Sequence, residues 1–330
     1  MGSKEKARIL FDTDIGCDCD DAGALALLHA LCTRGEAELL AVTACYRSPW
    51  VAGCIDAVNT YYGRRVPVGV LHGRDFEMPN IYAQALCERF PCAYPAGSAA
   101  EDTVTVLRRA LAGEEDGSVT LVATGSLSSM AALLESAPDE YSELPGPELI
   151  SRKIGRTVVM GGRFKELWPM PVLDGDPGDA DERETWREWN IFADIPASRK
   201  VCEEWPGEIV FSSYEIGNYI ITLKEFETAY PGNPVSYAYR IHHPEGGGRQ
   251  SWDLTAMLDA VRPDAGYWNY RPYGRTIVDD SGAIRWVPGE TGRHTCLLPR
   301  MDYEAVRQVI DELVLEGEKA RHGRSEEERK

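Results

Sequence analysis

Arg8-Ile-Leu-Phe-Asp12-Thr-Asp14-Ile-Gly16-Cys-Asp18-Cys-Asp20-Asp21 decides how the rest of the chain is read. Its first part, Arg8 to Asp12, is a short apolar run of the kind that forms a buried strand. An acidic loop follows, and from Ala22 to Thr33 the leucines 25, 28 and 31 recur at helical spacing. Strand, loop and helix make one unit. Five aspartates, at 12, 14, 18, 20 and 21, fall inside it.

The unit repeats outward. Glu38 to Ala44 reads as a strand, Trp50 to Tyr62 as a helix, Val66 to Leu71 as a strand and Thr103 to Leu111 as a helix. Val119 to Ala123, Ser128 to Glu135 and Thr157 to Met160 continue the alternation. Parallel strands need helical crossovers and bury both faces, so this order predicts an α/β fold: a mostly parallel open sheet with helices on both sides. Ligands of such sheets sit beyond the carboxyl ends of the strands. That rule gathers Asp12, Asp14, Thr124, Gly125, Gly161 and Gly162 along one rim.

The second half is less regular. Phe164 to Glu184 is rich in Pro, Gly and Asp and reads as a long loop placed to act as a lid. Pro196 to Trp205 is expected to be a helix, Glu208 to Ser213 a strand, and Thr276 to Val287 a hairpin turning at Asp280-Ser-Gly282. A helix is expected to begin near Trp252 and a final one to span Met301 to Leu315. The simplest domain reading is one unit over residues 1–330, with frayed tails at 1–6 and 317–330.

A formal net charge of −18 repels a phosphate backbone, and no basic stripe offsets it, so nucleic acid is not an expected partner. No apolar run reaches the ~20 residues a membrane span needs, and Met1 to Arg8 lacks the apolar core of a signal peptide. A cytoplasmic location is expected. The nine cysteines lack paired CxxC spacings and read as buried free thiols.

Crowded carboxylates raise one another's pKa unless a cation or a shared proton relieves them. One aspartate can cap the helix that follows; five exceed that need. An all-oxygen set selects Ca²⁺ or Mg²⁺ over zinc, and several carboxylates with a backbone carbonyl favour calcium. Gly23 at the twelfth position from Asp12 excludes an EF-hand, and the absence of GxGxxG disfavours a dinucleotide site.

The run Asp12-Thr-Asp14-Ile-Gly16-Cys-Asp18-Cys-Asp20-Asp21-Ala22 resembles the signature of the inosine-uridine-preferring nucleoside hydrolase family, whose first strand ends in DxDPGxDDA. Ile15 stands for the usual proline, and the loop is two residues longer. Val122-Ala-Thr124-Gly125-Ser-Leu127 is similar to the family's TGPLTN segment, Val159-Met-Gly161-Gly162 to its MGG strand end, and Glu188-Trp-Asn190-Ile191 to its EFNI motif. Ser251-Trp252-Asp253 falls where the family has its late aspartate. The four matches occur in the family's order.

The resemblance implies a nucleoside N-ribohydrolase with a Rossmann-like sheet, working as a homodimer or homotetramer on a small nucleoside. It implies that Asp14, Asp21, the Thr124 carbonyl and Asp253 hold Ca²⁺, with Asp14 as the base that activates water. Asp20 or Asp18, together with Glu188 and Asn190, would contact the ribose. Many members place His before the late aspartate to protonate the leaving base; Trp252 stands there instead and offers a stacking surface. At Arg47-Ser48, where members usually have Asn or Asp toward the sugar, Ser48 or Arg47 stands instead. Trp189, Trp168, Trp186 and Tyr82 are further aromatic candidates, and His72 and His242-His243 are candidate acids.

Two rivals stand beside this reading. Ile9-Leu-Phe-Asp12-Thr-Asp14 also resembles the DxD motif of haloacid-dehalogenase-like, Mg²⁺-dependent phosphatases, although Gly16 departs from it. A nucleoside- or sugar-binding homologue without turnover would keep the same metal residues.

Overall fold

The computed structural model describes residues 5–73, 78–164, 187–271 and 273–327. In chain order the strands are β1 (Ala7–Thr13), β2 (Ala37–Ala44), β3 (Val68–Val70), β4 (Glu101–Asp102), β5 (Val119–Ala123), β6 (Ile154–Met160), β7 (Ile209–Ser212), β8 (Ile221–Thr222), β9 (Arg249–Gln250), β10 (Trp268–Tyr270), β11 (Gly274–Val278), β12 (Ile284–Pro288) and β13 (His294–Pro299). β1 lies inside the sheet. Ile9, Leu10 and Phe11 are all fully buried, Ile9 and Phe11 in the core on one face and Leu10 in the core on the other. A strand covered on both sides needs an unbroken apolar run, and this one has it.

The strands lie in the order β12-β11-β13-β7-β6-β5-β1-β2-β3-β4. From β13 to β4 every neighbouring pair is parallel; β11, β12 and β10 are antiparallel additions at one edge. The chain lays down β1 to β4 in one direction, then crosses back to place β5 beside β1. Such a reversal opens a crevice at the carboxyl ends of the two central strands. There the Thr124 amide donates to the Asp12 carbonyl at 2.9 Å, fixing the two strand ends together.

The first helix, Asp20–Thr33, is buried continuously from Asp20 to Leu31. It packs against the helices Trp252–Val261 and Tyr303–Glu327. The hairpin expected at Asp280-Ser-Gly282 is present: Gly274 to Val278 pair with Pro288 to Ile284, Asp279 Oδ1 accepts from the Ser281 and Ala283 amides, and Gly282 has a φ of +77°. The loop expected over Phe164 to Glu184 lies, apart from the buried Phe164, outside the described residues. No helix among the described residues is long and apolar enough to cross a membrane.

The frayed tail expected from residue 317 is corrected, because the last helix continues to Glu327. Glu318 is fully buried and accepts hydrogen bonds from Tyr61 Oη (2.6 Å) and Asn233 Nδ2 (2.9 Å). Arg321 donates to the Tyr61 carbonyl at 2.7 Å and lies 3.7 Å from the centre of the Tyr61 ring. Gly317 sits where an added Cβ would come within 2.6 Å of Ala30 Cβ. Truncation after Leu315 should strand these buried partners at a cost of about 2–4 kcal/mol, lowering the melting temperature by roughly 5–10 °C. An unchanged melting curve would show that the extension contributes nothing.

Candidate active site

The acidic loop leaves β1 at the crevice and is held from three sides. Gly16, at φ +119°, has no room for a Cβ, which would lie 2.7 Å from Ala83 Cβ and 2.9 Å from Tyr46 Oη. Its carbonyl accepts from the Ile81 (2.9 Å) and Tyr82 (3.2 Å) amides. Tyr46 Oη donates to the Ile15 carbonyl and Tyr82 Oη to the Asp18 carbonyl, at 2.8 and 2.7 Å. Tyr82 is thus a buried loop clamp, not a surface for stacking. Asp20 and Asp21 occupy the first turn of the helix, where its positive end favours carboxylates.

Carboxylate oxygens of Asp20, Asp21 and Asp253 lie within 4.8 Å of one another. The Asp253 amide donates to Asp20 Oδ2 at 3.1 Å, and Thr124 Oγ1 and Thr13 Oγ1 both donate to Asp21 Oδ1. Burial, then the charge of Asp20, pushes the Asp14 carboxyl up to about 8. Burial is also the main cause for Asp20, Asp21 and Asp253, all pushed well above the ordinary carboxylate value, with mutual repulsion adding to it. Four buried carboxylates in this relation ionise together only when positive charge is supplied. The donors are all oxygen, so the set fits a hard divalent cation. Asp20, expected at the sugar, stands in the same group as the expected metal ligands.

Asp18 is different in kind. Arg249 Nη2 donates to its Oδ2 at 2.6 Å and Nε to Oδ1 at 3.0 Å, with His242 Nε2 3.5 Å away. Burial works against ionisation, but the Arg249 hydrogen bonds and charge outweigh it and hold this carboxyl below its ordinary value. Cys19 and His242 also approach Asp18 within 4.8 Å. The guanidinium already on Asp18 repels a second cation there.

Glu188 precedes a short helix, Trp189–Ala193, and caps it: its carboxylate accepts from the amides of Asn190 (2.8 Å), Ile191 (3.1 Å) and Gly162 (2.8 Å). Asn190 Nδ2 donates to the Thr124 carbonyl at 2.8 Å and the Met160 carbonyl at 3.2 Å. One side chain thereby ties the ends of β5 and β6. Trp252 Nε1 donates to the Tyr214 carbonyl at 2.9 Å, its ring stacks on Tyr214 with centroids 5.6 Å apart, and Arg249 lies 4.9 Å from the indole centre.

These groups wall a single cavity of about 290 Å³. Asp14, Asp18, Asp20, Asp21, Thr124, Glu188, Asn190, Trp252 and Asp253, all anticipated in the sequence, line it. Ser48 does not: its Oγ accepts from the Trp50 amide at 3.1 Å, at the start of the helix Val51–Tyr61, and it lines a separate depression with Arg47 and His72. His242 lies behind Asp18 and is absent from the lining. Trp189 lines the cavity and is 46% exposed, whereas Trp168 and Trp186 lie outside the described residues. Sequence reasoning missed Cys17, Pro79, Met160, Tyr214 and Arg249. Tyr214 had a signal, because it follows directly on the strand expected to end at Ser213.

A cavity at the reversal point of a parallel sheet, walled by a buried carboxylate group able to hold a metal ion, is the place where an α/β enzyme of this architecture takes its ligand. Residues 9–297 match the family model of the inosine-uridine preferring nucleoside hydrolases, and the chain belongs to that family. Its enzyme class is nucleoside N-ribohydrolase. Solved structures share the fold. The inosine-uridine preferring nucleoside hydrolase from Bacillus anthracis is 20% identical, with a TM-score of 0.67 over 94% of this chain and 99% of that one. The purine-preferring ribonucleoside hydrolase from Gardnerella vaginalis is 16% identical, with a TM-score of 0.67 over the same shares. The type III effector protein XopQ, solved with adenosine diphosphate ribose, is 15% identical, with a TM-score of 0.64 over 95% of each chain. A comparison with curated protein sequences returned no match.

Proposed function

We propose that the chain hydrolyses the N-glycosidic bond of a ribonucleoside, releasing free base and ribose, with Ca²⁺ as its cation. The observation that carries this reading is the buried group Asp14, Asp20, Asp21 and Asp253, which faces the same cavity as Thr124, Glu188 and Asn190. Asp14, Asp21, Asp253 and the Thr124 carbonyl would hold the ion. Such an ion supplies Lewis acidity to a water beside the anomeric carbon. With the neighbouring charges balanced, Asp14 is ionised and accepts the proton of the attacking water.

The sugar is gripped by groups whose orientation is already fixed. Glu188 Oε1 accepts a single amide and keeps acceptor capacity for a hydroxyl. Asn190 spends Nδ2 on two carbonyls, so its Oδ1 is the group left for the ribose. Asp18 is neutralised by Arg249, which leaves Asp20 as the sugar-facing aspartate of the loop. Interactions that tighten as the ribose becomes oxocarbenium-like accelerate cleavage. Trp252, Tyr214 and Trp189 give the base an aromatic surface.

Incubation with inosine, adenosine, guanosine, uridine and cytidine, followed by a reducing-sugar assay, should yield ribose from at least one. Chelation should stop release and added Ca²⁺ restore it. No ribose from any of the five would sink the reading, and release that survives full chelation would sink the role of the cation.

A further inference from the structure

Among the described residues the cavity lining holds no histidine to protonate a departing base and one cationic side chain, Arg249. Arg249 is fixed on both sides. Asp18 takes Nε and Nη2, Gln250 Oε1 takes Nη1 at 3.0 Å, and the guanidinium carbon rests 4.9 Å from the centre of the Trp252 ring. A guanidinium carries five N–H groups. Three are engaged, so two remain on a group that borders the cavity beside its aromatic surface. Its charge is already balanced by Asp18, so the site does not call for an anionic substrate.

We propose that Arg249 receives the leaving base through its two uncommitted N–H groups and selects 6-oxopurine nucleosides. The inference rests on the hydrolase reading above. A 6-oxopurine presents O6 and N7 as a pair of acceptors that a guanidinium matches, whereas adenine presents an amino donor beside N7. In the reaction the C1′–N9 bond breaks and its electron pair passes to the base. Water oxygen bonds to C1′, and the water proton goes to Asp14. Arg249 keeps all its protons and stabilises the charge developing on N7 and O6; the base takes its proton from solvent after release. The arrangement replaces proton donation by oriented hydrogen bonds to a developing anion.

The test compares inosine, guanosine, adenosine and p-nitrophenyl riboside, whose phenolate leaves without assistance. In the native protein kcat/KM for inosine should exceed that for adenosine by about tenfold or more. Arg249→Gln should lower kcat/KM for inosine and guanosine by about 100-fold, with p-nitrophenyl riboside nearly unaffected. Arg249→Lys, a point charge without the planar fork, should recover only part of the loss. Equal losses on the oxopurines and on p-nitrophenyl riboside would reduce Arg249 to a positioning partner of Asp18 and overturn the proposal, as would no loss at all. Should Arg249→Gln fail to fold, the Asp18→Asn/Arg249→Gln double variant removes both charges together and the same substrate comparison decides. A native protein that cleaves p-nitrophenyl riboside and pyrimidine nucleosides but no oxopurine overturns this inference alone. One that releases ribose from none of them removes the hydrolase reading with it.

Discussion

Asp14→Asn should lower kcat for nucleoside hydrolysis by about 10²–10⁴-fold, the range expected when a proton acceptor is lost from a reacting centre. The amide fills the same space, so folding should survive. Asn cannot take the water's proton, and as a neutral ligand it binds a divalent cation less strongly, so the Ca²⁺ needed for half-maximal activity should rise as well. A second readout separates this loss from damage to the fold. The Asp14 carboxyl is pushed up to about 8 by burial and by Asp20, so replacing it removes a charge the cation-free protein tolerates poorly. The chelated variant should therefore melt above the chelated native protein at pH 8. Retained activity would end the assignment of Asp14 as the base.

Removal of the cation should make stability fall as pH rises, the reverse of ordinary acid denaturation. A carboxyl whose folded pKa lies above its unfolded value contributes stability that is fully present below the unfolded pKa and lost as pH climbs through the folded one. Burial pushes Asp12 to about 7 and Asp14 to about 8, from ordinary values near 4. The chelated protein should thus lose stability steadily between about pH 4 and pH 8. Calcium takes over where protons leave, so its stabilising effect should grow across the same window. At a concentration 100 times its dissociation constant it should contribute about 2.7 kcal/mol. Melting curves at pH 5 and pH 8, with chelator and with excess Ca²⁺, provide the check. Identical curves with and without calcium at pH 8 would rule out the cation site.

The sequence carried the sheet and most of the residues that line the cavity because both leave local signatures. Ile9 to Phe11 is an unbroken apolar run and is fully buried on both sides. The rule that ligands gather at strand ends places Asp14 and Thr124 at one crevice from the sequence alone. What stayed hidden depends on contacts between distant segments. Arg249 follows three glycines and carries no local signal of its role, because its partner Asp18 lies 231 positions away. Ser48 is a sugar contact only by the family resemblance, whereas its hydroxyl accepts from the Trp50 amide and lines a separate depression. The helices Ala83–Arg89, Gly146–Lys153 and Pro234–His242 are too short for their periodicity to stand out. The charged end of the chain reads as a tail because its anchor, Glu318, is a buried carboxylate whose partners are Tyr61 and Asn233.

The distance along the chain between Asp20 and Asp253, 233 positions, sets a timetable for how the enzyme is made. At about 5–20 residues per second, a ribosome delivers the first aspartates roughly 10–50 seconds before the last one. The central strands can pair during that interval, but the cage for the ion stays open on one side. On the proposed Ca²⁺ reading, ion capture would therefore come late, once the chain has been made past Asp253. A nascent or truncated chain ending before Asp253 would lack one of the proposed ligands and should hold the cation poorly, leaving repulsion in its acidic loop unrelieved. Under the Ca²⁺ reading proposed above, loading of the metal would then report that synthesis has passed Asp253.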